Sequence, residues 1–140
     1  MPDPQDVDPE PASFARRRRD TVLVVDDYVD AREAMRDLLE VHGYPVIEAA
    51  NGQQALNLLV SQAKPRIGLI VLDLRMPVMD GREFLKILRN YVGLSTIPVV
   101  VVSGNTRELD AAERKRLVAS LQTPYAPAEL LRVVGAHVAR

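Results

Sequence analysis

The chain has 140 residues, 47% of them hydrophobic and 26% charged, the balance and length of one ordinary globular domain. Its net charge of −1 gives no bulk attraction to nucleic acid or to an anionic membrane. Cysteine is absent, which excludes disulfides, thiolate nucleophiles and cysteine-ligated metal sites, and His42 and His137 stand too far apart for a histidine metal site.

Residues 1–20 differ in kind from the rest. Pro2, Pro4, Pro9 and Pro11 are interleaved with Asp3, Asp6, Asp8 and Glu10. Such a stretch cannot bury enough apolar surface to offset its ordering entropy, so a disordered tail is predicted. Arg16 to Arg19 follow as a basic block. It reads either as a docking patch for an acidic partner or nucleic acid, or as part of a solvated tail whose charges nearly cancel; the second reading is adopted. The tail lacks the apolar segment of a secretory signal, and no run approaches the ~18 apolar residues of a membrane span. A cytoplasmic protein is expected.

The folded domain is predicted over 21–140. TVLVV (21–25) is a continuous β-branched run of strand length. Ala31, Met35, Leu38 and Leu39 recur at helical spacing, ending at His42-Gly43. PVIEA (45–49) reads as a short strand, and Ala55, Leu58, Leu59 and Ala63 as a helix closed by Pro65. GLIVL (68–72) is a second fully apolar run. Phe84, Leu85, Leu88 and Tyr91 mark a third helix, and PVVVV (98–102) another buried strand. A charged helix is predicted over about 106–119, then a short apolar piece near Val118 to Leu121. Leu130, Leu131, Val134 and Val138 form the closing helix after Pro127. Strand and helix thus alternate five times, which predicts an α/β doubly wound fold with a parallel sheet covered on both faces. Ligands of such folds sit beyond the carboxyl ends of the strands.

Three acids stand there: Asp26 and Asp27 after the first strand and Asp73 after the third. First and third strands are neighbours in a doubly wound sheet, so the three carboxylates should converge. Like charges at close range raise one another's pKa. A hard cation such as Mg²⁺ resolves the repulsion, since carboxylates, a backbone carbonyl and water complete its octahedron. N-capping or turn acids are the plainer explanation of Asp26-Asp27 alone, but Asp73 in the partner loop argues against it. An aspartate carboxylate can attack phosphorus to form an acyl phosphate, and Ser103, directly after the fourth strand, offers a hydroxyl to a phosphoryl oxygen. No residue looks placed as a base to hydrolyse the adduct. The protein is therefore expected to hold phosphate rather than to turn over as an enzyme.

VLVVDD (22–27), LIVLDLRMPVMDG (69–81), IPVVVVSG (97–104) and TPYAPAELL (123–131) together resemble the receiver domain of two-component response regulators. The resemblance covers 21–140 and is nearest to stand-alone, chemotaxis-regulator-like members. It implies a flavodoxin-like (βα)5 three-layer sandwich with strand order 2-1-3-4-5. It also implies Asp73 as phosphoacceptor, Mg²⁺ held by Asp26, Asp27, Asp73 and the Arg75 carbonyl, and Ser103 as the switch hydroxyl. The implied partners are a sensor histidine kinase or histidine phosphotransfer protein and an unknown output protein. Nothing but Arg140 follows the last predicted helix, so output through protein contact is expected, with a homodimer compatible and neither nucleic acid nor membrane required.

The pattern breaks after the fifth strand. The family's lysine before the proline is replaced by Thr123, its aromatic switch position is Ser120, and the span from Ser103 to Thr123 is short. A shortened or reshaped fourth helix and fifth strand are expected. Lys64, Lys86 and Lys115 all read as helix positions, which leaves Arg75 as a substitute charge unless it simply points to solvent. Two alternatives follow: a receiver-like interaction module acting independently of phosphorylation, and an aspartate-nucleophile phosphohydrolase of the haloacid-dehalogenase type. The second wants its aspartates two positions apart after the first strand, which Asp26-Asp27-Tyr28 does not provide.

Overall fold

Apolar β-branched runs become the strands of a single sheet because both of their faces are covered. The computed structural model describes residues 20–61 and 63–138. The strands are β1 Thr21–Val25, β2 Val46–Ala49, β3 Ile67–Asp73, β4 Val99–Ser103 and β5 Ala119–Gln122. The helices are α1 Val29–Val41, α2 Gly52–Val60, α3 Gly81–Arg89, α4 Ala111–Arg116 and α5 Pro127–His137. All strand pairings are parallel, in the order β2-β1-β3-β4-β5. This is the predicted doubly wound sandwich.

Alternation along the strands divides the core in two. Leu23, Val25, Ile70, Leu72, Val99 and Val101 pack with Ala55 and Leu59 of α2 and Phe84, Leu85 and Leu88 of α3. Val22, Val24, Leu69, Val71 and Val100 pack on the other face with Met35 and Leu39 of α1 and Leu130 and Val134 of α5. Both layers leave the carboxyl ends of β1 and β3 uncovered, which is where the acids stand.

Four expectations are corrected. The charged helix over 106–119 is two pieces: a 3₁₀ turn at Thr106–Glu108, then α4, six residues long. Leu109 is extended and buried, and Asp110 starts a new helix by capping Glu113, so the chain uses its two leucines, Leu109 and Leu117, outside the helix. Without an apolar stripe a longer helix has nothing to pack. The second helix stops at Val60, because Ser61 is extended (φ −71°, ψ 138°), which leaves Ala63 outside it. Tyr91 lies beyond the end of α3 and is 43% exposed rather than core. Asp20, assigned to the tail, is ion-paired to Arg66 (3.1 Å) at the start of the sheet. The remaining tail, with the Arg16–Arg19 block, lies outside the described residues. Among the described residues, no helix is long and apolar enough to cross a membrane.

Candidate functional site

Register builds the site. Val25 pairs with Leu72 across β1 and β3, so the residues that follow, Asp26 and Asp73, emerge side by side. One oxygen from each of Asp26, Asp27 and Asp73 lies within 4.8 Å of the others. Asp26 and Asp73 are half-buried and Asp27 is exposed. The Tyr28 N–H donates to Asp26 Oδ1 (2.9 Å), and the Arg75 N–H to Asp73 Oδ1 (3.3 Å). Burial, reinforced by the charge of Asp26, pushes Asp73 up to about 6. Burial also raises Asp26, with Asp27 adding to the effect against the Tyr28 hydrogen bond. The cluster is a local excess of negative charge held at the carboxyl ends of two interior strands.

That donor set fits a hard divalent cation. All three side chains offer oxygen only, the ligand type Mg²⁺ takes, and they lie near enough to one another to share one ion. Arg75 lines a cleft of about 530 Å³ with Asp27, Met76, Pro77, Asp80 and Glu108, so it borders the same space as one of the three carboxylates. The cation would also relieve the repulsion that raises Asp73 and Asp26.

The family model for the response regulator receiver domain matches residues 22–134. This chain belongs to that family. It is 38% identical over 115 residues to an uncharacterized 14.6 kDa protein of Leptolyngbya boryana, covering 81% of this chain and 86% of that protein. It spans about half the length, 45–50%, of several other curated relatives it matches. A response regulator receiver protein from Pseudomonas putida superposes with a TM-score of 0.73 at 31% identity, covering 84% of this chain and 97% of the other. TrrA of Thermotoga maritima, solved in complex with Mg²⁺ and beryllofluoride, shares the fold at a TM-score of 0.73 and 23% identity, covering 84% and 97%.

In this receiver domain the remaining predicted residues flank the triad. Ser103 ends β4 and is buried; its Oγ accepts the Asn105 N–H (3.1 Å), and its carbonyl accepts the Thr123 N–H (2.9 Å). Thr123 is exposed and precedes a cis peptide bond to Pro124. Ser120 lies within β5, half-buried. The Arg75 side chain does not point freely to solvent: it is ion-paired with Glu108 of the 3₁₀ turn.

Two neighbours of the triad were not visible in the sequence. Arg32 of α1 donates from Nη1 to the Asp26 carbonyl (2.8 Å) and from Nε to Glu48 (2.9 Å), tying the acid loop to β2. Tyr125 shares with Asp26 and Thr123 an apolar groove of about 410 Å³ against α1, and burial, then the Asp26 charge, raise its hydroxyl pKa. A charged residue on a helix and an aromatic in a loop carry no pattern that would have singled them out.

Proposed function

We propose that this receiver domain is a response regulator module that accepts a phosphoryl group on Asp73, with Mg²⁺ held by Asp26, Asp27, Asp73 and the Arg75 carbonyl, and signals through contact with another protein. The donor is a phosphohistidine of a sensor kinase or phosphotransfer protein. The observation that carries this reading is the convergence of three carboxylates at the carboxyl ends of β1 and β3.

The ionised Asp73 carboxylate attacks phosphorus, the P–N bond to the donor histidine breaks, and its electron pair returns to the imidazole, which takes up a proton. A divalent cation held by Asp26, Asp27 and Asp73 would supply charge neutralisation for this transfer. Ser103, whose Oγ accepts from the Asn105 N–H and so keeps its own proton to donate, offers that proton to a phosphoryl oxygen, and Thr123 offers a hydroxyl where a lysine would offer a charge.

Incubation of the chain with acetyl phosphate, with and without Mg²⁺, tests the reading by intact mass. One phosphoryl group is expected on the unaltered protein in Mg²⁺, and none on Asp73→Asn or Asp27→Asn. Undiminished uptake by Asp73→Asn overturns the assignment.

A further inference from the structure

We propose that the α3–α4 face is a docking surface for an acidic, partly apolar segment of a partner protein, gripped by Arg89 and Arg116. Arg82, Lys86 and Arg89 of α3 recur at spacings of four and three and so share one face of that helix. The face is turned toward α4, because Arg82 forms a two-pronged pair with Glu113 (2.8 and 3.0 Å). Arg114, Lys115 and Arg116 close α4.

The acids of this region are already engaged. Asp110 and Glu113 cap α4 reciprocally, and Glu113 also holds Arg82. Arg114 donates to the Thr106 carbonyl. Among the described residues, Lys86, Arg89, Lys115 and Arg116 form no ion pair. The helix C-terminal dipoles account for cations in these last turns, but they do not account for Arg116. Its Nε and Nη2 are buried without a hydrogen-bond partner, and burial, then the adjacent Arg89 charge, hold it below the usual guanidinium range. The unpaired cations of α3 and of the last turn of α4, Lys86, Arg89, Lys115 and Arg116, are complementary to the carboxylates of an acidic segment.

The surroundings favour a peptide over a nucleic acid. A groove of about 210 Å³ between the helices, lined by Leu85, Lys86, Arg89 and Ala112 together with the Arg82–Glu113 pair and the capping Asp110, suits side chains rather than a duplex. Exposed apolar residues follow each helix: Tyr91 (43%) and Val92 (100%) after α3, and Val118 (40%) after α4. Interfaces pair such apolar anchors with a charged rim. The surface is distinct from the acid triad and does not depend on Asp73 accepting phosphate.

The test is titration of the isotopically labelled full chain with a synthetic peptide alternating Asp or Glu with Leu or Phe, followed by amide NMR shifts. Its Lys-for-acid counterpart, a duplex DNA oligonucleotide and phosphatidylserine vesicles serve as the other arms. Shifts confined to residues 82–93 and 111–118 are expected with the acidic peptide alone. The double variant Arg89→Ala/Arg116→Met, which keeps the aliphatic stem of Arg116, should weaken binding by about tenfold or more. Arg89→Ala by itself, at an exposed position, should weaken it while leaving the melting temperature unchanged. Absence of binding, shifts elsewhere, unchanged affinity in the variants, or preference for DNA or vesicles overturns the proposal.

Discussion

The guanidinium of Arg75 is ion-paired with Glu108, which fastens the loop after β3 to the 3₁₀ turn after β4. Arg75 lies two residues beyond Asp73, and its side chain is 73% exposed against 24% for Glu108. The one cation beside the proposed phosphoacceptor on its own loop is therefore already committed, and a phosphoryl group must draw it away from a carboxylate.

That competition is measurable with beryllofluoride and Mg²⁺ as the phosphoryl mimic. An exposed ion pair is worth about 0.2–1 kcal/mol, so Glu108→Gln should tighten mimic binding by up to about fivefold. Arg75→Ala should weaken it, and the double variant should match Arg75→Ala alone. Unchanged affinity in Arg75→Ala would show that Arg75 contributes no charge to the bound state.

The raised pKa of Asp73 makes a statement about stability. It titrates at about 6 in the fold and near 3.9 in the unfolded chain, so over that interval the native state binds more protons. The contribution is fully present below the unfolded value and is lost as pH rises through 6. Its full size is about 3 kcal/mol, reduced to about 1–2 kcal/mol by solvent screening at a half-buried site. Asp73→Asn should therefore melt higher than the unaltered protein at pH 7.5, with the gain vanishing near pH 4. An equal difference at both pH values would place its cause outside this titration.

The strands were legible because β1, β3 and β4 are continuous apolar runs that only a two-sided burial explains. The triad was legible for the same reason: once TVLVV and GLIVL are neighbouring strands, Asp26, Asp27 and Asp73 must meet. What failed was α4. Its residues have good helix propensity, but Leu109 and Leu117 pack into the core from extended positions, and propensity alone cannot locate that break. Glu108 and Arg32 act across 33 and 16 positions to their partners, a separation at which single residues carry no signal.

Backbone strain marks the loop between Asp73 and α3. Val78 has φ +70°, a left-handed conformation that a β-branched residue resists, while its side chain is 80% exposed. Relief of about 1–3 kcal/mol of strain, less about 0.4–1 kcal/mol for the freer unfolded chain, predicts that Val78→Gly melts a few degrees higher. A lower melting point would mean the exposed side chain stabilises the loop by a contact of its own.

Three positions on, the requirement reverses. A Cβ on Gly81 would lie 2.6 Å from the Asp73 carbonyl oxygen and 2.7 Å from Leu74 Cα, and the Gly81 N–H already bonds the Leu74 carbonyl (2.8 Å). Gly81→Ala should cost about 1–3 kcal/mol and reduce mimic binding by displacing the backbone that carries Asp73. Thermal melts and the beryllofluoride assay check both. Unaltered stability would show that this close approach yields without cost.

Thr123 is the departure with the largest expected consequence. A switch responds only if the phosphoryl group gains contacts in one of two conformations that it lacks in the other. Ser103 supplies one hydroxyl donor, its Oγ meanwhile accepting from the Asn105 N–H. Thr123 is bonded through its backbone to the Ser103 carbonyl and shares a groove with Asp26, so its position is coupled to both halves of the site while its side chain brings no charge. A charge-assisted contact is worth about 1.5–3 kcal/mol, a sizeable part of the ~5.5 kcal/mol that a complete population shift requires. Ser120, half-buried within β5, has no ring to move with the strand. Amide exchange across residues 103–125, with and without beryllofluoride and Mg²⁺, should therefore show a modest response in the unaltered chain and a larger one in Thr123→Lys. The same substitution should lower the pKa of Asp73 from about 6 by placing an ammonium near the acids, visible as a smaller stability gain from Asp73→Asn at pH 7.5 in that background. A large response in the unaltered chain that Thr123→Lys does not increase would show that the lysine's role is filled already, and loss of that response in Arg75→Ala would identify the residue that fills it.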